Sequence, residues 1–175
     1  MFEVKKIVIT GPESTGKTTL AQYLSQYYRC PVVPEYAVEY LEKTDGRYGY
    51  RDLLKIAKGQ IAKEEEIIKK SQDGLIICDT DLITIKIWAK VKYGKVPRWV
   101  MKTIRERKYD FYLLCAPDIE WEYDKFRENP HDRDRLFVLY EKELKKYHKP
   151  YVVISGKGEE RQQKALEALV PLIKQ

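Results

Sequence analysis

The chain has 175 residues, of which 43% are hydrophobic and 34% charged, a balance that fits one globular domain and argues against a disordered chain. Lys and Arg outnumber Asp and Glu by 33 to 27, a net charge of +6; this mild excess suits anionic ligands, and equally a solvated Lys-rich surface. The longest apolar runs are too short to span a bilayer, and Met1-Phe2-Glu3-Val4-Lys5-Lys6 carries no signal-peptide h-region, so membrane, secreted and fibrous classes are set aside and a cytoplasmic location is expected.

Apolar runs of strand length alternate with longer stretches of helical period. Val4–Thr10 reads as a strand, and Lys17 to Tyr28 as a helix with Leu20 and Leu24 four apart. Pro31–Pro34 is a short strand. Asp52 to Lys70 places Leu53, Ile56, Ile61, Ile67 and Ile68 near one face with charge opposite, although Gly59 interrupts it. Leu75–Cys78, Tyr112–Cys115 and Tyr151–Ile154 are strands without polar alternation, as in strands buried on both faces. Helical pieces lie between and after them, over Ile83–Lys92, Pro97–Lys108, Arg135–His148 and Glu159–Lys174. The predicted fold is α/β: a doubly wound, mostly parallel five-stranded sheet with flanking helices and a small lid, forming one domain over residues 1–175. Its ligands should bind beyond the carboxyl ends of the strands.

The decisive segment is Gly11-Pro12-Glu13-Ser14-Thr15-Gly16-Lys17-Thr18, which matches the phosphate-binding pattern G-x-x-x-x-G-K-[ST] in full. Its glycines permit a tight turn whose backbone N–H groups converge on an anion, and the helix that follows adds its positive end. Glu13, Ser14, Thr15, Gly16, Lys17, Thr18 and Thr19 are therefore the candidate nucleotide-binding residues. Lys17 would reach the β and γ phosphate oxygens, and the Thr18 hydroxyl would ligate Mg²⁺. ATP and Mg²⁺ are the implied cofactors. The pattern alone does not separate kinase, GTPase and motor. A guanine-reading N-K-x-D is absent and the chain is short for a motor, so a small-molecule kinase fits best.

Two further strand ends carry acids: Asp79-Thr80-Asp81 after Cys78, and Glu35-Tyr36 after Pro34. Asp79 is placed like the acid that orients a Mg²⁺ shell. Glu35 and Asp81 are candidates to orient the acceptor hydroxyl; each acid also suits a plain helix cap. Tyr36, Tyr40, Trp88, Trp121 and Tyr123 would suit a cationic aromatic acceptor through stacking and cation–π contact, as readily as they would suit a core. The lid candidate is about 117–135, with Arg127 and Arg133 available to stabilise transferring charge. Gly156 and Lys157 lie in a loop that would flank adenine. Cys30, Cys78 and Cys115 are odd in number and lack CxxC spacing, so they read as buried thiols in a reducing compartment.

With these motifs in view, the chain resembles the nicotinamide riboside kinase domain of NadR-type proteins. The resemblance runs from the Gly11–Leu20 loop through Pro34-Glu35-Tyr36-Ala37-Val38-Glu39-Tyr40-Leu41, Asp52-Leu53…Gly59-Gln60 and Asp79-Thr80-Asp81-Leu82…Trp88…Tyr93-Gly94. It continues in Pro117-Asp118-Ile119…Trp121…Asp124…Arg127…Pro130…Arg133 and ends in Pro150-Tyr151-Val152…Gly156…Arg161, covering about residues 4–165. It implies ATP-dependent phosphorylation of the 5′-hydroxyl of nicotinamide riboside, giving the mononucleotide for NAD salvage. By that analogy Glu35 or Asp79 is the acceptor-side base, and Trp88 and Trp121 are walls for the pyridinium ring.

Val38 departs from the arginine usual in the family. The H-x-G-H motif of a nucleotidylyltransferase domain is absent and there is no room for a helix-turn-helix domain, so the kinase part alone is expected. Two alternatives stand beside this reading. One is a kinase for another nucleoside or small-molecule acceptor. The other is a nucleotide-switched binding module, for which Arg98, Lys102 and Arg105, with Arg107 and Lys108, offer a basic helix face. Nucleic acid is disfavoured as a partner, since such a face is more often simply solvated. A homo-oligomer is compatible with the sequence.

Overall fold

A computed structural model of the chain describes residues 3–71 and 74–173. Met1, Phe2 and the predicted helix end at Lys174 lie outside the described residues. In chain order the elements are β1 (Lys5–Thr10), α1 (Lys17–Tyr28), β2 (Val32–Val33), α2 (Tyr36–Lys43), α3 (Tyr50–Lys70) and β3 (Leu75–Asp79). They continue as α4 (Leu82–Tyr93), α5 (Arg98–Glu106), β4 (Phe111–Cys115), α6 (Arg133–Lys146), β5 (Tyr151–Ile154) and α7 (Glu159–Leu169).

The strands form a five-stranded sheet in the order β2-β3-β1-β4-β5, and every pairing is parallel. Ile9 pairs with Asp79 and Leu113, so β1, β3 and β4 end level with one another. Successive β1 residues face opposite sides. Val8 enters the core beneath α3 to α6, while Ile7 and Ile9 enter the core beneath α1 and α7. Both faces are dry, which is why the strands read as continuous apolar runs. The chain leaves β1 toward β2 on one side and leaves β3 toward β4 on the other, so the switch point lies between β1 and β3. The loops that leave the five carboxyl ends therefore gather at one edge.

Element boundaries move for local reasons. The strand predicted at Pro31–Pro34 shrinks to Val32–Val33, because the flanking prolines have no N–H for the ladder. The predicted series omits α2, an eight-residue helix directly after that strand. Helix α3 begins at Tyr50, two residues earlier than predicted, because the Asp52 carboxylate accepts the Gly49 N–H at 2.8 Å, closing the first turn from inside. Helix α7 ends at Leu169, just before Pro171, whose ring and missing N–H stop a helix. The segment 116–132, between β4 and α6, contains neither helix nor strand. No helix among the described residues is long and apolar enough to cross a membrane.

Candidate active site

The loop Gly11–Gly16 connects the end of β1 to the start of α1. Gly11 has φ 140°, and a Cβ there would lie 2.7 Å from the Cys115 carbonyl oxygen of the neighbouring strand. No residue with a side chain fits that approach. Ser14 and Gly16 also have positive φ, which turns successive N–H groups to one side. The Thr15 hydroxyl and the Lys17 ammonium both donate to the Pro12 carbonyl, at 2.8 and 2.6 Å.

Thr18 opens α1 and donates its hydroxyl to Asp79 Oδ2 at 2.6 Å. The second oxygen of Asp79, Oδ1, is buried without a hydrogen-bond partner. Burial raises the Asp79 pKa, opposed by the Thr18 hydroxyl and the Lys17 cation. A buried unpaired carboxylate oxygen beside a hydroxyl, at the foot of a phosphate loop, fits a hard divalent cation that completes its shell with phosphate and water oxygens. Among the described residues no cluster of three His, Cys, Asp or Glu would hold a metal without such help.

A cavity of about 840 Å³ lies over this loop. The phosphate loop forms one wall. Glu35, Thr84, Trp88 and Tyr140 also line it, as does the 119–129 part of the lid candidate. Glu35 occupies the position before α2, yet its carboxylate makes no cap hydrogen bond. The cap explanation for this acid is therefore not realised. Burial pushes its pKa up to about 7; the Asp79 and Glu13 carboxylates add to the rise, and the Lys17 and Arg127 cations oppose it. The turn that carries Glu35 is held from α3. Gln60, buried, accepts the Tyr36 N–H at 2.7 Å and donates to the Pro34 carbonyl at 3.2 Å. One residue earlier, Gly59 leaves room for the Tyr36 ring, whose Cε1 would lie 2.0 Å from a Cβ at that position.

The lid candidate, within the segment 116–132, rests on the phosphate loop. The Glu13 carboxylate accepts the backbone N–H groups of Glu128 and Asn129 at 3.2 and 3.0 Å. Ser14 Oγ accepts the Glu122 N–H at 2.8 Å and Arg127 Nη1 at 3.4 Å. Arg133 donates to the carbonyls of Ser14 and Ile119, so it braces the loop from outside the cavity lining.

Several other predicted residues stand away from the cavity lining. Asp81 turns into the core, where its carboxylate caps α4 through the Ile83 N–H at 3.1 Å and accepts the Tyr112 hydroxyl at 2.7 Å; burial pushes its pKa up to about 6. Trp121 packs against the Arg127 and Arg133 guanidiniums, 5.9 and 5.7 Å from its ring centre. Tyr36 lies against Gly59 and beneath Lys63. The Gly156 N–H is spent on the Asp118 carboxylate at 2.6 Å, and Gly158 lines the cavity where Gly156 and Lys157 were expected.

Arg161 is the residue that the site reading missed. It is buried at the start of α7 and donates to the carbonyls of Thr15, Ala116 and Gly156 at 2.6, 3.1 and 3.0 Å, while pairing with Asp118. One guanidinium thus ties together the loops leaving β1, β4 and β5. Its sequence signal is only a place in the family resemblance. Cys78 and Cys115 are buried thiols with raised pKa, the latter pushed up to about 11 by burial, and neither touches the cavity.

Residues 6–161 match the family model described as an AAA domain. The chain belongs to the AAA domain family. Among curated proteins this AAA domain is 28% identical over 138 residues to the trifunctional NAD biosynthesis/regulator protein NadR of Escherichia coli (strain K12), covering 77% of this chain and 33% of that protein. It spans about a third of the length of that relative. Among solved structures it superposes on the crystal structure of NadR protein in complex with NR with a TM-score of 0.82 and 25% identity, covering 95% of this chain and 50% of that one. It shares the fold of a deoxyadenosine kinase from M. mycoides, with a TM-score of 0.65, 16% identity, and coverage of 95% of this chain and all of that one. The P-loop fold is thereby established, as is the similarity to NadR along most of the chain.

Proposed function

We propose that the chain is an ATP-dependent nucleoside kinase that phosphorylates the 5′-hydroxyl of nicotinamide riboside. The observation that carries this reading is Glu35: an uncapped carboxylate with a pKa near 7, in the wall of the cavity that contains the phosphate loop. A module that only binds nucleotide has no use for such a base, and one that hydrolyses ATP would turn it on water, which acceptor-dependent turnover distinguishes. The likeness to NadR, one structure of which holds NR, supports this acceptor. So does a cavity lined by both the Glu35 carboxyl and the Trp88 indole, which suits a cationic pyridinium riboside.

The loop amides and Lys17 hold the β and γ phosphates of ATP, in front of the acceptor oxygen. Glu35 takes the 5′-hydroxyl proton as the new O5′–P bond forms. The bond from the β–γ bridging oxygen to the γ phosphorus breaks, and ADP leaves with that electron pair. Arg127, held by Ser14, supplies positive charge as negative charge moves toward the leaving oxygen. Thr18 and Asp79 would hold Mg²⁺, which neutralises phosphate charge when bound. Trp88 forms the acceptor wall, while Trp121 keeps the lid arginines in place.

The two acids sort by environment. Asp79 is engaged by Thr18 beneath the loop and Glu35 is open to the cavity, so Glu35 is the base and Asp79 the metal ligand in this reading. The test is acceptor-dependent ADP formation, with nicotinamide riboside compared against uridine, thymidine and deoxyadenosine. Turnover confined to the riboside supports the proposal. Turnover confined to another nucleoside replaces the acceptor and keeps the chemistry.

A further inference from the structure

Tyr48 lies in the turn 44–49 between α2 and α3, outside every motif of the phosphate loop. Its hydroxyl is a hub. It donates to Glu128 Oε1 of the lid at 2.7 Å and accepts from Trp88 Nε1 at 3.0 Å and from the Lys92 ammonium. The Lys92 ammonium also reaches Glu128 Oε1, at 2.8 Å. The Tyr48 and Trp88 rings meet edge to face with centres 4.8 Å apart. The same turn seats the lid a second time: Phe126 packs over Gly46, where an added Cβ would come within 3.4 Å of its ring.

Glu128 is thereby held from two directions. Its backbone N–H rests on the Glu13 carboxylate of the phosphate loop. Its side chain rests on Tyr48 and Lys92. The first contact belongs to the donor side of the cavity. The second leads within one hydrogen bond to Trp88, on the acceptor side. Burial pushes the Tyr48 phenol up to about 12, so it remains a donor at neutral pH.

We propose that Tyr48, Lys92 and Glu128 are positioning residues that make lid closure depend on the placement of Trp88 against a bound acceptor. This rests on the kinase reading above, and it assigns that site a coupling element. An acceptor that sets Trp88 in place presents Tyr48 to Glu128, so the lid arginines close over a filled cavity. With the acceptor subsite empty, the Tyr48 seat holds the lid less firmly, and transfer of the γ-phosphoryl group to water is suppressed.

The test uses Tyr48→Phe, which keeps the ring on Trp88, and Glu128→Gln, an exposed change that keeps the backbone seat on Glu13. In each, KM for the riboside should rise about tenfold while Kd for ATP without acceptor stays within about twofold, since the lost hydrogen bond involves a charged group. The double variant should be no worse than either single one, because both break the same link. Tryptic cleavage after Lys125, in the presence of a non-hydrolysable ATP analogue and the riboside, should be several-fold faster in both variants. Unchanged riboside KM with unchanged cleavage would overturn the proposal, as would additive losses in the double variant. If the wild type turns over no riboside, the kinase reading of the acceptor fails on its own. Cleavage after Lys125 with the ATP analogue alone then still decides the coupling: faster cleavage in both variants supports the link from Tyr48 to the lid, and equal cleavage overturns it.

Discussion

Replacing Glu35 with Gln separates catalysis from stability at one atom. The carboxylate titrates near 7 in the folded protein against an ordinary value of 4.5, mainly because burial disfavours its charge. An acid whose pKa is raised by folding costs nothing below its unfolded pKa, where both states carry the proton. It costs progressively more as pH climbs from 4.5 through 7, and above that the folded state carries an ionised group it disfavours. At one pKa unit per 1.36 kcal/mol, and discounted for partial exposure, the cost of ionised Glu35 is about 1–2 kcal/mol. Gln has nearly the same shape and no charge at any pH. Glu35→Gln should therefore lower kcat by about 10² or more, yet raise Tm at pH 8 by roughly 4 °C. At pH 4.5 the two proteins should melt together. In the wild type kcat/KM should rise with pH through about 7, as the base loses its proton, and that limb should vanish from the residual activity of the variant. Differential scanning calorimetry at the two pH values and initial rates across pH 5.5–8.5 read both effects. A Tm difference independent of pH, or a kcat loss under about threefold, would refute the assignment of Glu35 as a poised, half-buried base.

Lys17→Ala should reduce turnover at least about 10²-fold with a Tm close to wild type by calorimetry, because the ammonium's hydrogen bond among the described residues is a single one to the Pro12 carbonyl; full activity would remove the phosphate loop from the chemistry. Gly59→Ala discriminates by sign. Helix propensity alone predicts a gain of about 1 kcal/mol, whereas the Cβ contact of 2.0 Å with the Tyr36 ring predicts a net loss of about 1–2 kcal/mol and a lower kcat as the Glu35 turn shifts; urea denaturation reads the difference. Arg161→Lys retains charge but loses the fork that holds three loop carbonyls, so it should cost about 2–4 kcal/mol and raise KM for ATP; a wild-type urea midpoint would contradict the stapling role.

The loop between β1 and α1 was legible in the sequence because a phosphate-loop pattern is built from adjacent residues. Gly11, Gly16, Lys17 and Thr18 lie within eight positions of one another, and strand β1 and helix α1 follow directly from the apolar pattern around them. The proposed acceptor half was legible only in part. An acid after a buried strand carries the same local signature whether it faces a ligand or caps the next helix. Glu35 leaves its cap bond unmade and Asp81 makes it, a difference set by where each following helix packs. Trp88 and Trp121 are alike as letters, yet one lines the cavity and the other packs against two arginines. Gln60 reaches a turn 24 residues upstream, and Tyr48 meets partners 40 and 80 residues away. No spacing rule connects such pairs, so their roles appear only once the sheet has brought its carboxyl edge together.

The central claim is tested most directly by following ADP formation with Mg²⁺ and ATP, with and without nicotinamide riboside, and identifying the product by mass spectrometry. The account predicts ADP release that depends on the riboside and yields its 5′-phosphate in equal amount. ADP release that is the same without any acceptor, or none with the riboside or any other nucleoside, would contradict it.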